Sequence, residues 1–285
     1  MIVLNADDYA ITEGVSRAID ALADARRLSA TSALVTLPYW PALAPRLAGL
    51  RDRLAAGLHL NLTLGAPLGP MPGLAPEGRL PTVGALVRAS LSLGFAGAEI
   101  AAEIDRQLDA FETGLGHPPD HVDGHQHVHV LPGVRGALLD RLRRRYGGRA
   151  PLVRDPSDSL AAITARGAPG KALAIRALAA GFAGAAARAG IPTNSGFSGF
   201  SDFDTRQPYA RELARALARP ARCQVVMCHP GFPDAELGRL DPVTDRRQQE
   251  YEALLADATL PRRIWHPSRA ADGPPIDWAS ELGQP

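Results

Sequence analysis

Short apolar runs of strand length alternate with helix-length stretches from the first residues to about residue 229, and that order leaves few folds open. The runs "IVLNA" (2–6), "SATSALVTL" (29–37), "AAGLHLNLT" (55–63), "DHVDGH" (120–125), "PLVRD" (151–155), "NSGFSGF" (194–200) and "CQVVMCH" (223–229) read as strands. Between the first two, a helix is expected from about Thr12, a hydroxyl N-cap, with Val15, Ile19 and Leu22 on one face. The stripe Ile100, Ile104, Leu108, Phe111 and Leu115 predicts the clearest helix, over 98–115. Further helices are expected up to about Leu50 and over 132–146, 171–189 and 207–218. Repeated strand-then-helix order implies a parallel sheet with right-handed crossovers. About seven strands favour closure into a distorted (β/α) TIM-like barrel over an open doubly wound sheet. With 285 residues, 46% of them hydrophobic, a single barrel domain spanning 1–285 is expected. The Pro- and Gly-rich stretch "GAPLGPMPGLAPEGRLP" (65–81) is expected to be a lid or binding loop, with a plain surface loop as the alternative.

The rest of the composition mainly excludes. A formal net charge of +1 gives no electrostatic basis for nucleic acid or an anionic membrane surface. No G-x-G-x-x-G or G-x-x-x-x-G-K-[ST] follows a strand, so a nucleotide-binding reading has no support. Cys223 and Cys228, five apart in a strand, should face opposite ways and cannot easily bridge, which fits a reducing compartment. The start "MIVLNADDY" lacks the basic and long apolar regions of a signal peptide, and the apolar stretch 172–191 carries Arg176 and Arg188. A cytoplasmic protein without a membrane span is expected, and a homodimer is left open.

Polar residues sit where a parallel fold gathers its site, at the C-terminal ends of strands. Asp7 and Asp8 end the first strand, His59 and Asn61 the third, Asp123 and His125 the fourth, Arg154 and Asp155 the fifth, and His229 the last. In "VDGHQHVHV" (122–130) the residues Asp123, His125, His127 and His129 share one parity and would line one face of an extended chain. Taken singly, the paired aspartates could cap a turn, His59 could be a core histidine, and the histidine run could be a solvated edge. Four such coincidences at one end of one sheet are a poor account of the pattern. An aspartate with two imidazoles is a facial ligand set with open positions, and a bound ion would activate water and polarise a carbonyl or phosphoryl oxygen. Asp7 would then accept the proton of that water, and His229 would protonate the leaving group.

The segments "NADDYAIT" at the start, "GLHLNLT" (57–63), "DGHQHVH" (123–129) and "MCHPGF" (227–232) resemble, in order and spacing, those of the YdjC-like carbohydrate deacetylases. That family includes chitooligosaccharide and hopanoid-associated deacetylases. The resemblance runs to about residue 255 and implies a distorted (β/α) barrel that removes an N-acetyl group from an acetylated amino sugar with one divalent metal ion, Mg²⁺ or Zn²⁺. It implies Asp8, His59 and His125 as metal ligands, Asp7 as base and His229 as acid. Arg154 falls where the family tends to place a substrate-side arginine. Asn61, Asp123 and His127 are expected near the substrate, and His129 stays unassigned. Tyr9-Ala10 replaces a Phe-Gly found in many members, so the turn there lacks a glycine's freedom. Two competing readings remain: a metal-dependent phosphoesterase on a similar barrel, and a noncatalytic sugar- or metal-binding protein.

Overall fold

In the computed structural model, which describes residues 1–91, 96–270 and 273–283, the seven apolar runs become seven parallel strands of one sheet. They are β1 (Ile2–Tyr9), β2 (Ala30–Ala33), β3 (Ala55–Leu60), β4 (His121–Gly124), β5 (Leu152–Val153), β6 (Gly196–Ser198) and β7 (Gln224–Cys228). Their spatial order is β5-β4-β3-β2-β1-β7-β6. The sheet curls into a half-barrel, and a single parallel bridge from Val153 to Thr193 draws its β5 edge toward the segment that enters β6. The strands are shorter than their apolar runs. β2 stops at Ala33, and the chain turns at Leu37–Trp40 around Pro38. Among the described residues the α-helices are α1 (Glu13–Asp24), α2 (Trp40–Ala48), α3 (Val83–Ser90), α4 (Gly97–Leu115), α5 (Val134–Tyr146), α6 (Leu160–Thr164), α7 (Pro169–Leu178), α8 (Phe182–Arg188), α9 (Tyr209–Ala216), α10 (Leu237–Leu240), α11 (Asp245–Ala256), α12 (Leu260–Arg263) and α13 (Trp278–Glu281).

Strand alternation parts the apolar residues into two cores. Leu4, Ala6, Leu58, Leu60, Val122, Val226 and Cys228 pack outward against the helices, joined by Val15, Ile19 and Leu22 of α1 and the Ile100–Leu115 stripe of α4. Val3, Ala30, Ala55, Leu152, Val225, Met227 and Cys223 form the second, inner core. The two cysteines therefore fall in different cores and are free, as their spacing predicts. Thr12 caps α1, its Oγ1 accepting from Val15 N at 3.3 Å. The helix expected over 171–189 is two, because Gly181 adopts a left-handed φ of 79° between α7 and α8. No described helix is long and apolar enough to cross a membrane.

The segment 65–81 is fastened down. Leu80 N closes onto Gly65 O at 2.9 Å, and Met71, Ala75 and Leu80 are buried. Carboxylates of α4 satisfy its backbone: Glu99 accepts from Gly73 N and Leu74 N, and the buried Glu103 accepts from Leu68 N at 2.9 Å.

The opposite, N-terminal end of the sheet is plugged by the chain's last residues. Trp278 joins the inner core, and its Nε1 donates to Asp120 O just before β4. The buried Asp120 side chain accepts two bonds from Arg269, at 2.5 and 2.6 Å, and one each from Ala56 N and Ile276 N. Burial opposes its charge, but Arg269 and these N–H groups outweigh that and hold its pKa below the ordinary 3.8. The clasp therefore contributes above that pH and is lost as pH falls through the depressed folded value. Asp120→Ala leaves the Arg269 guanidinium without its carboxylate and should lower the unfolding free energy in urea by about 3–5 kcal/mol.

Candidate functional site

At the C-terminal end of the strands the regular alternation of β1 fails, and the site depends on that failure. Ala6 pairs with Thr31 and Tyr9 with Ala33, so three steps on β1 face two on β2. Asp8 takes a left-handed φ of 70° and Ala10 one of 68°. The bulge brings successive carboxylates, which a regular strand would send to opposite faces, into one buried cluster. Ala10 stands at the position where a glycine would be unstrained, and Ser16 Oγ accepts its N–H at 2.9 Å.

Asp8 Oδ1 lies 3.2 Å from His59 Nε2 and 3.0 Å from His125 Nδ1. The ligand atoms of these three residues all lie within 4.8 Å of one another. His59 Nδ1 is 2.6 Å from Asp123 Oδ1 and 3.2 Å from Ser32 Oγ, which fixes the ring and leaves Nε2 toward Asp8. Burial works against a charged His59, yet Asp123, Asp8 and Asp7 outweigh it and raise its pKa to about 10. The carboxylates thus demand positive charge at the spot where the three donors meet. One carboxylate oxygen and two imidazole nitrogens around that spot fit a divalent cation.

A second trio, Asp7, His59 and Asp123, has ligand spacing as well. There a resident cation is already bound. Arg154, 1% exposed, donates to both oxygens of Asp7 at 2.6 and 2.7 Å, and its Nη2 also pairs with Asp123 Oδ2. Asn5 Nδ2 adds a bond to Asp7 Oδ1 at 2.7 Å. Burial raises the pKa of Asp7, but Arg154 lowers it further and keeps the carboxyl ionised. The same guanidinium holds Asp123 far below the ordinary carboxylate range against its burial. Arg154 and Asp123 are buried and support Asp7 and His59. Asn61 has its amide engaged with Thr36 Oγ1, Leu64 O, Thr63 N and Leu64 N, and shapes the turn after β3.

The histidine run does not extend along one face. The chain breaks into a 3₁₀ turn, His125–Val130, with Gln126 and His127 at φ of 54° and 59°. Of the run, only His125 joins Asp8, its side chain 12% exposed. His129 is buried and donates from Nε2 to Arg154 O at 2.8 Å; burial lowers its pKa to about 4. His127 packs edge-on against Phe197 and Phe200, and burial holds its pKa well below 6.5. His229 follows β7, and its ring centroid is 5.8 Å from that of Phe203. Burial lowers its pKa against the pull of Asp8 and Asp7.

Sequence reasoning missed α11. Arg247 Nη2 donates to Asp8 Oδ2 at 2.6 Å, and Glu250 Oε2 accepts the His229 N–H at 2.5 Å. The stretch "DRRQQE" reads as a solvated polar face, because buried charges leave no apolar stripe to betray them.

The YdjC-like protein family matches this chain over residues 1–261. The chain belongs to the YdjC-like family. A chitooligosaccharide deacetylase of Klebsiella pneumoniae (strain 342) is 30% identical over 273 residues, spanning 90% of this chain and 94% of its own. A carbohydrate deacetylase of Mus musculus is 36% identical over 200 residues, spanning 64% of this chain and 63% of its own. The crystal structure of an Enterococcus faecalis V583 protein, 22% identical, superposes with a TM-score of 0.71 over 93% of this chain and 96% of that one, a likeness of fold. The resemblance read from four segments of the sequence is thus a family relationship.

In this YdjC-like chain the glycine of "DGH" has a local cause. A Cβ at Gly124 would come within 2.9 Å of His129 Nδ1 and 3.0 Å of His129 N. Gly124→Ala should cost about 1–3 kcal/mol in a thermal unfolding experiment, as overpacked sites do.

Proposed function

We propose that this protein is a metal-dependent carbohydrate deacetylase that hydrolyses the N-acetyl group of an acetylated amino sugar or oligosaccharide of the chitooligosaccharide or GlcNAc type. The observation that carries the reading is the juxtaposition of a three-donor set, Asp8, His59 and His125, with a second ionised carboxylate, Asp7, held in place by Arg154. The names of the Klebsiella and mouse relatives supply the substrate class. Asp8, His59 and His125 would hold one divalent ion, and two imidazole donors favour Zn²⁺ over Mg²⁺. Such an ion supplies Lewis-acid polarisation of the acetamide carbonyl and a lowered pKa for the attacking water.

The chain's own groups account for the proton movements. Asp7, kept ionised by Arg154, accepts a proton as the water oxygen bonds to the carbonyl carbon. His229 delivers a proton to the nitrogen as the C–N bond breaks, leaving acetate and a free amine. Asp123 and Ser32 hold the His59 ring, while His129, kept neutral, braces the Arg154 carbonyl. His127, whose Nδ1 has no hydrogen-bond partner among the described residues, is assigned a contact to the sugar. The 65–81 segment, leaving the Asn61 turn, is assigned to the rim that selects the sugar.

Incubation with diacetylchitobiose and with an aryl phosphate, each with and without EDTA, tests the reading. Acetate release abolished by EDTA is expected; release of phosphate alone would make the protein a phosphoesterase, and release of neither a binding protein. Asp7→Asn and His229→Ala should each lower turnover by about 10²–10⁴-fold with the ion still bound, as loss of a general acid or base does. His59→Ala should lose ion and activity together. The acid form of His229 disappears as pH rises, so the alkaline limb of the pH–rate profile should flatten in His229→Ala. Deleting residues 70–77 should change preference among acetylated sugars more than it changes ion affinity.

A further inference from the structure

The proton chemistry leaves one buried cation of the cluster without a task. Arg247, 1% exposed, lies 239 positions from Asp8 in sequence and reaches it from α11. Its Nη2 is shared between two carboxylates, 2.6 Å from Asp8 Oδ2 and 2.5 Å from Asp241 Oδ2. Nε donates to Val243 O at 3.1 Å, which fixes the plane of the guanidinium. The two oxygens of Asp8 are therefore divided. Oδ1 faces His59 and His125, and Oδ2 belongs to Arg247. A free carboxylate can offer a cation one oxygen or both, whereas this one has only Oδ1 left to offer.

The charges lead to the same point. Asp7, Asp8, Asp123 and Asp241 carry four negative charges, and Arg154 and Arg247 carry two positive ones. The balance of two negative charges is what one divalent ion cancels. Without Arg247 the balance would be three, and the attraction for a divalent ion correspondingly greater, because buried charges are poorly screened.

We infer that Arg247 is a positioning residue that keeps Asp8 a one-oxygen donor and restrains the site's hold on its metal, with Asp241 drawing part of the Arg247 charge away from Asp8. The inference rests on the metal-site reading of Asp8, His59 and His125. It gives α11 a part in the chemistry through Asp8, without contact to the sugar. It also predicts shifts of opposite sign from two neighbouring residues, which a mere tie between α11 and β1 would not produce.

The test is Zn²⁺ affinity of the full-length protein, measured by competition with a chromogenic chelator, for wild type, Arg247→Met, Arg247→Lys and Asp241→Asn. Circular dichroism checks the fold of each. Arg247→Met should bind Zn²⁺ about tenfold more tightly while kcat for diacetylchitobiose falls about 10–100-fold at nearly constant KM, the scale of changes behind a ligand. Arg247→Lys should return affinity toward wild type. Asp241→Asn should bind Zn²⁺ several-fold more weakly, because the guanidinium is then undivided on Asp8. Equal or weaker binding by a folded Arg247→Met overturns the proposal. If Arg247→Met does not fold, Asp241→Asn decides, and unchanged or tighter binding there overturns it. A wild-type protein that binds no Zn²⁺ or Mg²⁺ overturns the metal site and this inference together. Wild-type binding with shifts of the wrong sign leaves the metal site standing and removes only the role of Arg247.

Discussion

Three carboxylates, Asp7, Asp8 and Asp123, are buried together at the mouth of the half-barrel, and the surrounding structure answers their charge. Isolated carboxylates would not survive such burial ionised. Arg154 neutralises the Asp7–Asp123 side, and Arg247 reaches Asp8 from the far end of the sequence. What remains is too negative to stand alone, and His59 shows it: its imidazole holds a proton up to a pKa of about 10 although burial opposes the charge. A proton and a divalent ion are alternative answers to one electrostatic demand, so ion binding and deprotonation of His59 are linked. The strands do little more than place these groups; the pairing of charges decides which of them can face a ligand.

Regular β structure alone could not build the cluster. Alternation gives each strand one inward residue at a given level: Asp7 from β1, His59 from β3, Asp123 from β4. Bringing Asp7 and Asp8 into one cluster needs two successive residues of one strand on one side, and an extra residue in the ladder allows that. The bulge at Ala6–Tyr9 supplies it at the expense of left-handed backbone at Asp8 and Ala10. On β4 the opposite device operates. The strand ends at Gly124, and a 3₁₀ turn takes over, so that His125 reaches Asp8 while His129 folds back beneath Arg154. Three histidines of one parity acquire three different tasks because the backbone stops being extended at the first of them.

Legibility in the sequence follows the range of the forces involved. The seven strands, α1 with its Thr12 cap and the α4 stripe were readable because local apolar periodicity reports burial directly. The convergence of Asp7, Asp8, His59 and His125 was readable because strand ends converge in any parallel fold. The partners of Asn61, Asp123 and Arg154 were not readable for a common reason: sequence position gives the end of the strand but not which neighbours the side chain there engages. Asn61 engages its own turn, and Asp123 and Arg154 engage each other. Arg247 and Glu250 were invisible because a charged helix face reads as solvated unless its distant partners are known.

Those distant partners give the barrel its division of labour. The N-terminal end is sealed by contacts that concern stability alone: Trp278 in the inner core and Asp120 gripped by Arg269. The C-terminal end carries positive φ at Asp8, Ala10 and His127 and a surplus of buried negative charge, features that work against folding. The two ends are linked through late parts of the chain. Trp265, Ile276, Trp278 and Leu282 close one end, while α11 sits at the other, its Arg247 on Asp8 and its Glu250 on the His229 N–H. β1 is therefore electrostatically incomplete until α11 has docked and β7 has paired beside it. The site and the half-barrel are then one cooperative unit: the Asp8 carboxylate cannot be buried at acceptable cost without the helix whose Glu250 also holds the His229 backbone.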